Sequence, residues 1–438
     1  MDPFYWGVLG FVALLIFIAV GVPVAISLSV IGTVGLFGLM GIGGTFKLLS
    51  LQFFSFICTF EFSAIPLFLI MGYVAYHTGL TSAAFNSARL WLSHLPGGLA
   101  IATVTACGLF GACCGSGIPA CAAMGKIAIP EMLKYKYDKS LAAGCVSSAA
   151  TLAVLIPPSV VMVIYAVFVE CSLGKLLMAG YLPGALSILI FSIMIVTRVR
   201  LNPKLAPPIP GEMITWKGRL NSLRAIWGIV LLALLVMGTL YSGFFTATEA
   251  AAAGASGAFL LMFLTRTFQW EKIRDALSET LLVGAMTFLV ILGAVLYSRF
   301  IALTGLPKEV ANFIVSMDIS IYWIVVLLAI LYIFLGCFMD SISMLLVTMP
   351  VILPALNSLK VDLIWFGIVF VKLVEIGAIT PPFGISVYAL SGVVAKDISI
   401  TEIFRGIWWF LMMEFLTLAI LIAFPEISLF LPRTMMGK

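Results

Sequence analysis

Two proline pairs govern what this chain can fold into. Leu155-Ile156-Pro157-Pro158-Ser159 and Ile379-Thr380-Pro381-Pro382-Phe383-Gly384 each sit inside an apolar run that would otherwise form one membrane helix. Each pair removes two backbone donors and clashes with the preceding turn, so the helix must break there. In a bilayer the freed carbonyls cannot face lipid and must line a cavity enclosed by protein. Two such breaks at matching positions in two halves point to the binding site of a secondary carrier.

The bilayer itself follows from composition. Of the 438 residues, 63% are hydrophobic and 10% charged, against about 45–50% apolar and about 25% charged in a soluble domain. An all-α polytopic membrane protein is therefore expected. The net charge of +5 is spread over loops without any run of like charge, which implies no nucleic-acid partner. Met1-Asp2-Pro3-Phe4 carries no basic stretch, so the first apolar segment is expected to be retained as a span. The eight cysteines show no C-x-x-C spacing and nearly all fall in apolar segments, so they are assigned neither metal nor disulfide. His77 and His94 are the sole histidines, and H-E-x-x-H and G-x-S-x-G are absent from the sequence, which argues against an enzyme.

Read in order, residues 5–22 and 24–41 are expected spans hinged at Pro23, 46–60 an interfacial arm, 62–77 a span and 84–95 a short segment. Residues 99–130 are apolar but interrupted by Gly111-Ala112-Cys113-Cys114-Gly115-Ser116-Gly117-Ile118-Pro119. Two arms too short to span separately predict a re-entrant hairpin with a polar tip. A broken helix over 141–169 carries the first proline pair, and a span over 176–197 completes a first half, residues 1–197. The polar stretch 198–224 links it to a second half, residues 225–438.

That half repeats the plan. Spans are expected over 225–243 and 247–265, an arm over 267–280, and a span over 281–303. A hairpin over 324–354 has the tip Gly336-Cys337-Phe338-Met339-Asp340-Ser341-Ile342-Ser343, and a broken helix (362–394) and a last span (403–424) follow. Thr246-x-x-Glu249 and Ser399-x-x-Glu402 have capping-box spacing. An offset of 224 places Cys113 on Cys337, Pro130 on Pro354, Asp138 on Asp362 and Pro157-Pro158 on Pro381-Pro382. Five spans per half would invert the second half relative to the first. With both termini outside, fifteen Lys and Arg fall inside and seven outside, as the positive-inside rule requires.

Two tips and two breaks then meet near mid-membrane. Uncharged oxygens suit Na⁺, and half-helix N-termini suit an anion. The expected Na⁺ ligands are Ser116, Thr151, Gly336, Asp340, Gly377 and Thr380. The expected substrate contacts are Gly115, Ser116, Pro157, Pro158, Ser159, Pro381, Pro382 and Ser386. Asp340, Lys372 and Glu375 are charges at depth, each costing at least about 2.5 kcal/mol unless paired or wetted. They are open to two readings, contact with ion or substrate, or a Lys372–carboxylate pair holding the second hairpin against its broken helix. Lys126 is expected to reach back to the inner surface.

Several motifs occur in an order seen in one family. They are Gly115-Ser116-Gly117, Ile127-Ala128-Ile129-Pro130-Glu131-Met132, Tyr137-Asp138 with Leu141-Ala142-Ala143-Gly144, and Leu155-Ile156-Pro157-Pro158-Ser159. Ala179-Gly180-Tyr181-Leu182-Pro183-Gly184, Thr246-Ala247-Thr248-Glu249-Ala250, Phe366-Gly367-Ile368 and Thr380-Pro381-Pro382-Phe383-Gly384 follow. Over nearly its whole length the chain resembles the large membrane subunit of tripartite ATP-independent periplasmic (TRAP) transporters. The resemblance implies an inverted-repeat, elevator-type fold and Na⁺-driven import of a carboxylate or related organic acid, with no organic cofactor. It also implies a periplasmic substrate-binding protein and a small four-helix membrane subunit as partners in a bacterial inner membrane. One Na⁺ site would lie between the first tip and Pro157-Pro158, the other between Gly336 and Gly377/Thr380. Thr248, Lys360 and Ser386 depart from the family's usual Pro, Gly and Asn. A stand-alone anion carrier and an anion channel are the alternative readings.

Overall fold

The computed structural model describes residues 2–208, 216–317, 321–336, 338–382 and 384–435. Cys337 of the second tip, Phe383 of the second break, residues 209–215 of the linker, and the ends (Met1 and 436–438, with Lys438 of the charge count) lie outside them. The regular structure of the described residues is all helical, with no strand among them.

The first half opens with α1 (Pro3–Ala19), α2 (Val24–Ile57), α3 (Ala64–His77) and α4 (Leu80–Leu92). A hairpin of α5 (Gly98–Cys114) and α6 (Gly117–Lys134) follows, then the first broken helix as α7 (Lys139–Ala149), α8 (Leu152–Leu155) and α9 (Val160–Val169). Helices α10 (Leu173–Ala179) and α11 (Tyr181–Leu201) close this half. The second half runs α12 (Trp216–Ala225), α13 (Trp227–Tyr241), α14 (Ala247–Leu264), α15 (Trp270–Leu303) and α16 (Leu306–Ser316). The second hairpin is α17 (Ile321–Gly336) and α18 (Ser341–Ser358); the second broken helix is α19 (Leu363–Ile379) and α20 (Ile385–Val394). Helices α21 (Ile400–Ala423) and α22 (Glu426–Thr434) end the chain's described part.

Local chemistry explains the starts. Asp2 accepts from the Phe4 amide ahead of α1, with Pro3 in the first turn, where its missing donor costs nothing. Asp138 caps α7 and Asp362 caps α19, each through its side-chain oxygen. Both capping boxes expected from spacing are formed, Thr246 with Glu249 and Ser399 with Glu402. After the 224-residue offset, α6 and α18 start and end at the same positions, and α7 and α19 start together.

The expected boundaries fare differently in the two halves. The span 24–41 and the arm 46–60 part where expected: α2 is two helical pieces joined at Gly41, whose φ 69° and ψ 176° are not helical. The arm 267–280 and the span 281–303 are instead one continuous helix, α15, because no Gly or Pro interrupts residues 270–283. At 1.5 Å per residue its 34 residues reach about 51 Å, well past an apolar core of about 30 Å. The span 176–197 lies within one stretch, Leu173–Leu201, with a step at Gly180, one turn before Pro183, which has no N–H to continue the ladder.

The expected ten spans reduce to eight among the described residues by length and composition, or nine if α12 and α13, bent by 49°, count as one. Helix α1 is 17 residues long, a little short of a bilayer crossing. The broken helix 362–394 also drops out, its pieces α19 and α20 being 17 and 10 residues long, while α18, a hairpin arm that sequence reasoning kept out of the count, is added.

The outer helices present apolar side chains outward, among them Val30, Val34, Leu260, Phe263, Leu282, Met286 and Leu289, as a lipid-facing surface does. Helix α2 packs along α15, and α3 along α14, which in turn packs on α13. Inside this frame α21 lies against α7, α11 and α19, while α6 packs on α20 and α18 on α9. The first broken helix is the most enclosed span, with 89% of its apolar window buried.

Candidate functional site

At the first break α8 stops at Leu155, Ile156 is extended, and the cis pair Pro157-Pro158 leads to Ser159, whose hydroxyl accepts from the Met162 amide. The helix had already lapsed at Ala150–Thr151, where the Thr151 hydroxyl donates to the Ser148 carbonyl at 2.8 Å. The Tyr181 hydroxyl donates to the Pro157 carbonyl at 3.1 Å.

The tip of the first hairpin closes on this break. The Val160 amide donates to the Gly115 carbonyl. Gly115 has φ 65°, and a Cβ there would lie 2.5 Å from the Pro158 carbonyl oxygen, so both conformation and space require glycine. Ser116 is extended and opens α6, and Gly117 lies against Ala150 and Thr151. The structure thus brings Gly115, Ser116, Thr151, Pro157, Pro158 and Ser159 into one place.

The second break is built alike but closed differently. Thr380 ends α19; its amide donates to the Gly377 carbonyl and its hydroxyl to the Ile376 carbonyl at 2.6 Å. The cis pair Pro381-Pro382 follows. Here the hairpin arm α17 crosses α19 at Gly336 and Gly377, where a Cβ on Gly336 would sit 2.7 Å from the Gly377 Cα. The first half has a similarly close crossing, with alanine in place of the second glycine: a Cβ on Gly111 would sit 2.8 Å from the Ala153 Cα. Gly377→Ala is expected to force the helices apart, costing about 1–3 kcal/mol, by analogy with overpacked cores. A thermal melt of the purified chain checks this, and an unchanged midpoint would show that the crossing tolerates a methyl.

Two further expected ligands also have partners of their own. The Asp340 carboxylate caps α18, accepting from the Ile342 and Ser343 amides and the Ser343 hydroxyl. Ser386 is buried on α20, and its carbonyl accepts from the Cys121 thiol of α6 at 3.3 Å. The first hairpin therefore touches both breaks, its tip at one and its second arm at the other. Lys126 is exposed.

The charges at depth do not form the expected pair between hairpin and broken helix. The fully buried Lys372 ammonium donates to Glu375 on its own helix at 2.8 Å and to the Ser187 hydroxyl of α11 at 3.0 Å. It also makes an ion pair with Glu414 of α21, which is fully buried. Asp340 takes no part in this cluster. Lys372 faces α21, which packs on α19, and reaches Ser187 of α11, whereas the hairpin meets α19 on its other side, at Gly377. Sequence reasoning missed Glu414, although a lone carboxylate midway along a 24-residue apolar helix was a readable signal.

Residues 11–427 match the family described as "Tripartite ATP-independent periplasmic transporter, DctM component". The chain belongs to this family. It is 34% identical over 373 residues to the C4-dicarboxylate TRAP transporter large permease protein DctM of Pseudomonas aeruginosa, covering 84% of this chain and 86% of that protein. It is 28% identical over 418 residues to the sialic acid TRAP transporter large permease protein SiaM of Vibrio cholerae, covering 95% and 96%. The crystal structure of the Alcanivorax borkumensis YdaH transporter shares the fold at 13% identity, with a TM-score of 0.54 over 88% of this chain and 89% of that one. The resemblance carried by the proline and glycine motifs is thus borne out, and the DctM-family chain is a multi-pass membrane protein of a transporter family.

Proposed function

We propose that this chain is the large membrane subunit of a Na⁺-coupled importer of a small organic acid in a bacterial inner membrane. A periplasmic binding protein delivers the anion, and a small four-helix membrane subunit completes the outer frame. The observation that carries this reading is the closure of each proline break by a hairpin, one at Gly115 and one at Gly336. Each closure leaves carbonyls at a helix C-terminus and amides at a helix N-terminus near each other. The first suit a dehydrated cation and the second an anion. Dicarboxylate and sialic acid, the cargoes in the names of the two relatives, are both organic acids.

The ion sites are Ser116 and Thr151 at the first closure and Gly336, Asp340, Gly377 and Thr380 at the second. The coincident boundaries of α6 with α18, and of α7 with α19, support two repeats of opposite orientation, 1–197 and 225–438. The hairpins and broken helices move as one elevator body. Uptake into proteoliposomes supplied with the cognate binding protein is expected only with an inward Na⁺ gradient. Equal uptake with choline in place of Na⁺ would overturn the coupling.

Thr380→Val keeps shape but removes the hydroxyl. The half-saturating Na⁺ concentration is expected to rise roughly threefold to tenfold, about 0.7–1.4 kcal/mol for one lost oxygen. The Thr380 hydroxyl already donates to Ile376, so its lone pairs stay available to a cation. Unaltered Na⁺ activation in a well-folded variant would remove Thr380 from the site.

A further inference from the structure

Lys372 sits five residues before Gly377 on α19, and Glu375 sits two before it. At about 100° per residue, Gly377 lies about 140° around the helix from Lys372 and about 200° from Glu375. One face of α19 therefore carries the ions and the opposite face meets Gly336. The ammonium has three donors, and they go to three helices: Ser187 on α11, Glu375 on α19 itself and Glu414 on α21. Ser187 in turn donates to the Pro183 carbonyl at 3.0 Å. Helix α21 is held to the first broken helix by a backbone crossing at Gly144 and Gly406. The cluster thus ties the second broken helix to the element that also holds the first.

The repeat offers an internal comparison. At the positions 224 residues earlier, Lys372 and Glu375 correspond to Ser148 and Thr151, and Glu414 and Ser187 have the apolar counterparts Ile190 and Leu411. The first half therefore builds its broken helix without a buried ion pair. The fold alone does not demand one, and the charges call for a role of their own in the second half.

We infer that Lys372, with Glu375, Glu414 and Ser187, is a positioning cluster that sets the rotation and depth of α19, so that Gly377 is held against Gly336 in cation-binding geometry. This rests on the Na⁺ reading of the second closure. The cluster touches neither ion nor substrate; it acts through the backbone of α19. Supporting groups of this kind are worth roughly 10- to 100-fold in metal affinity where they have been removed.

The test uses the full chain, with uptake measured together with its cognate subunits. Two readouts apply: the half-saturating Na⁺ concentration for uptake, and the rise in melting temperature of the purified chain when NaCl replaces choline chloride. The variant Lys372→Met/Glu375→Met/Glu414→Met removes every charge and strands none, and such replacements are often neutral or stabilising. Its melting temperature in choline is expected to match or exceed the parent's. Its half-saturating Na⁺ concentration is expected to rise about tenfold or more, with a diminished Na⁺-induced rise in melting temperature. Ser187→Ala keeps the charges and removes one leg, and a smaller rise of roughly threefold is expected. That variant keeps the inference falsifiable should the triple variant fail to fold. Parental Na⁺ activation and Na⁺-induced stabilisation in either well-folded variant would overturn it. If the parent chain itself shows no Na⁺ effect in either readout, the Na⁺ reading fails instead, and the two failures are distinct.

Discussion

Lys372→Met alone is expected to lower the stability of the chain by about 3–5 kcal/mol, the cost of stranding buried carboxylates without their cation. Lys372, Glu375 and Glu414 are all buried in one cluster, and Glu375 Oε1 and Glu414 Oε1 accept no hydrogen bond among the described residues. Removing the ammonium leaves two facing carboxylates in an apolar interior, where neither is solvated. The effect should appear as a large drop in melting temperature and in the yield of monodisperse protein. The companion changes Glu375→Met and Glu414→Met should recover most of it, since the sum of the single effects greatly exceeds the effect of all three. A single variant as stable as the parent would mean that water reaches the cluster.

A covalent link from α6 to α20 should leave uptake intact, whereas one from α3 to the first tip should abolish it. The first pair is Gly125→Cys with Leu390→Cys, at a contact where a Cβ on Gly125 would lie 2.7 Å from the Leu390 side chain. It joins the first hairpin to the second broken helix, and both belong to the proposed moving body. The second pair is Tyr73→Cys with the native Cys114, bridged by a short bifunctional reagent in a background lacking the other cysteines. Beside Tyr73, a Cβ on Gly72 would sit 2.7 Å from the Cys113 carbonyl, so α3 touches the tip directly. Helix α3 packs along α14 in the outer frame, and a hairpin fastened to that frame cannot travel. Breaking the polar tips away from their breaks would cost a few kcal/mol per unsatisfied group, whereas sliding along an apolar seam costs less. If the α6–α20 link stopped uptake and the α3 link did not, the halves would rock against each other and the elevator reading would be wrong.

What the sequence by itself determined is what a few adjacent residues can enforce. The proline pairs at 157–158 and 381–382 broke their helices where expected, because the missing donors and the ring clash act within one turn. The tip at Gly115-Ser116 and the capping boxes at Thr246 and Ser399 were readable for the same reason. Family membership was legible from these local motifs taken in order. The second arm was not: α15 runs on because helical propensity continues across a boundary that only polarity had suggested, whereas α2 breaks at Gly41, where the first arm was expected to part from its span. Tertiary structure alone decided the partners of the buried charges. Ser187 and Glu414 reach Lys372 from 185 and 42 residues away, and the choice between Asp340 and Glu414 depends on which helix packs against which face of α19. The pairings of Gly336 with Gly377 and of the first tip with Pro157-Pro158 were expected from the family resemblance, and what packing adds is an approach too close for a side chain. Residue chemistry sets what each group needs, a donor, an acceptor or room, and helix packing decides which distant residue supplies it.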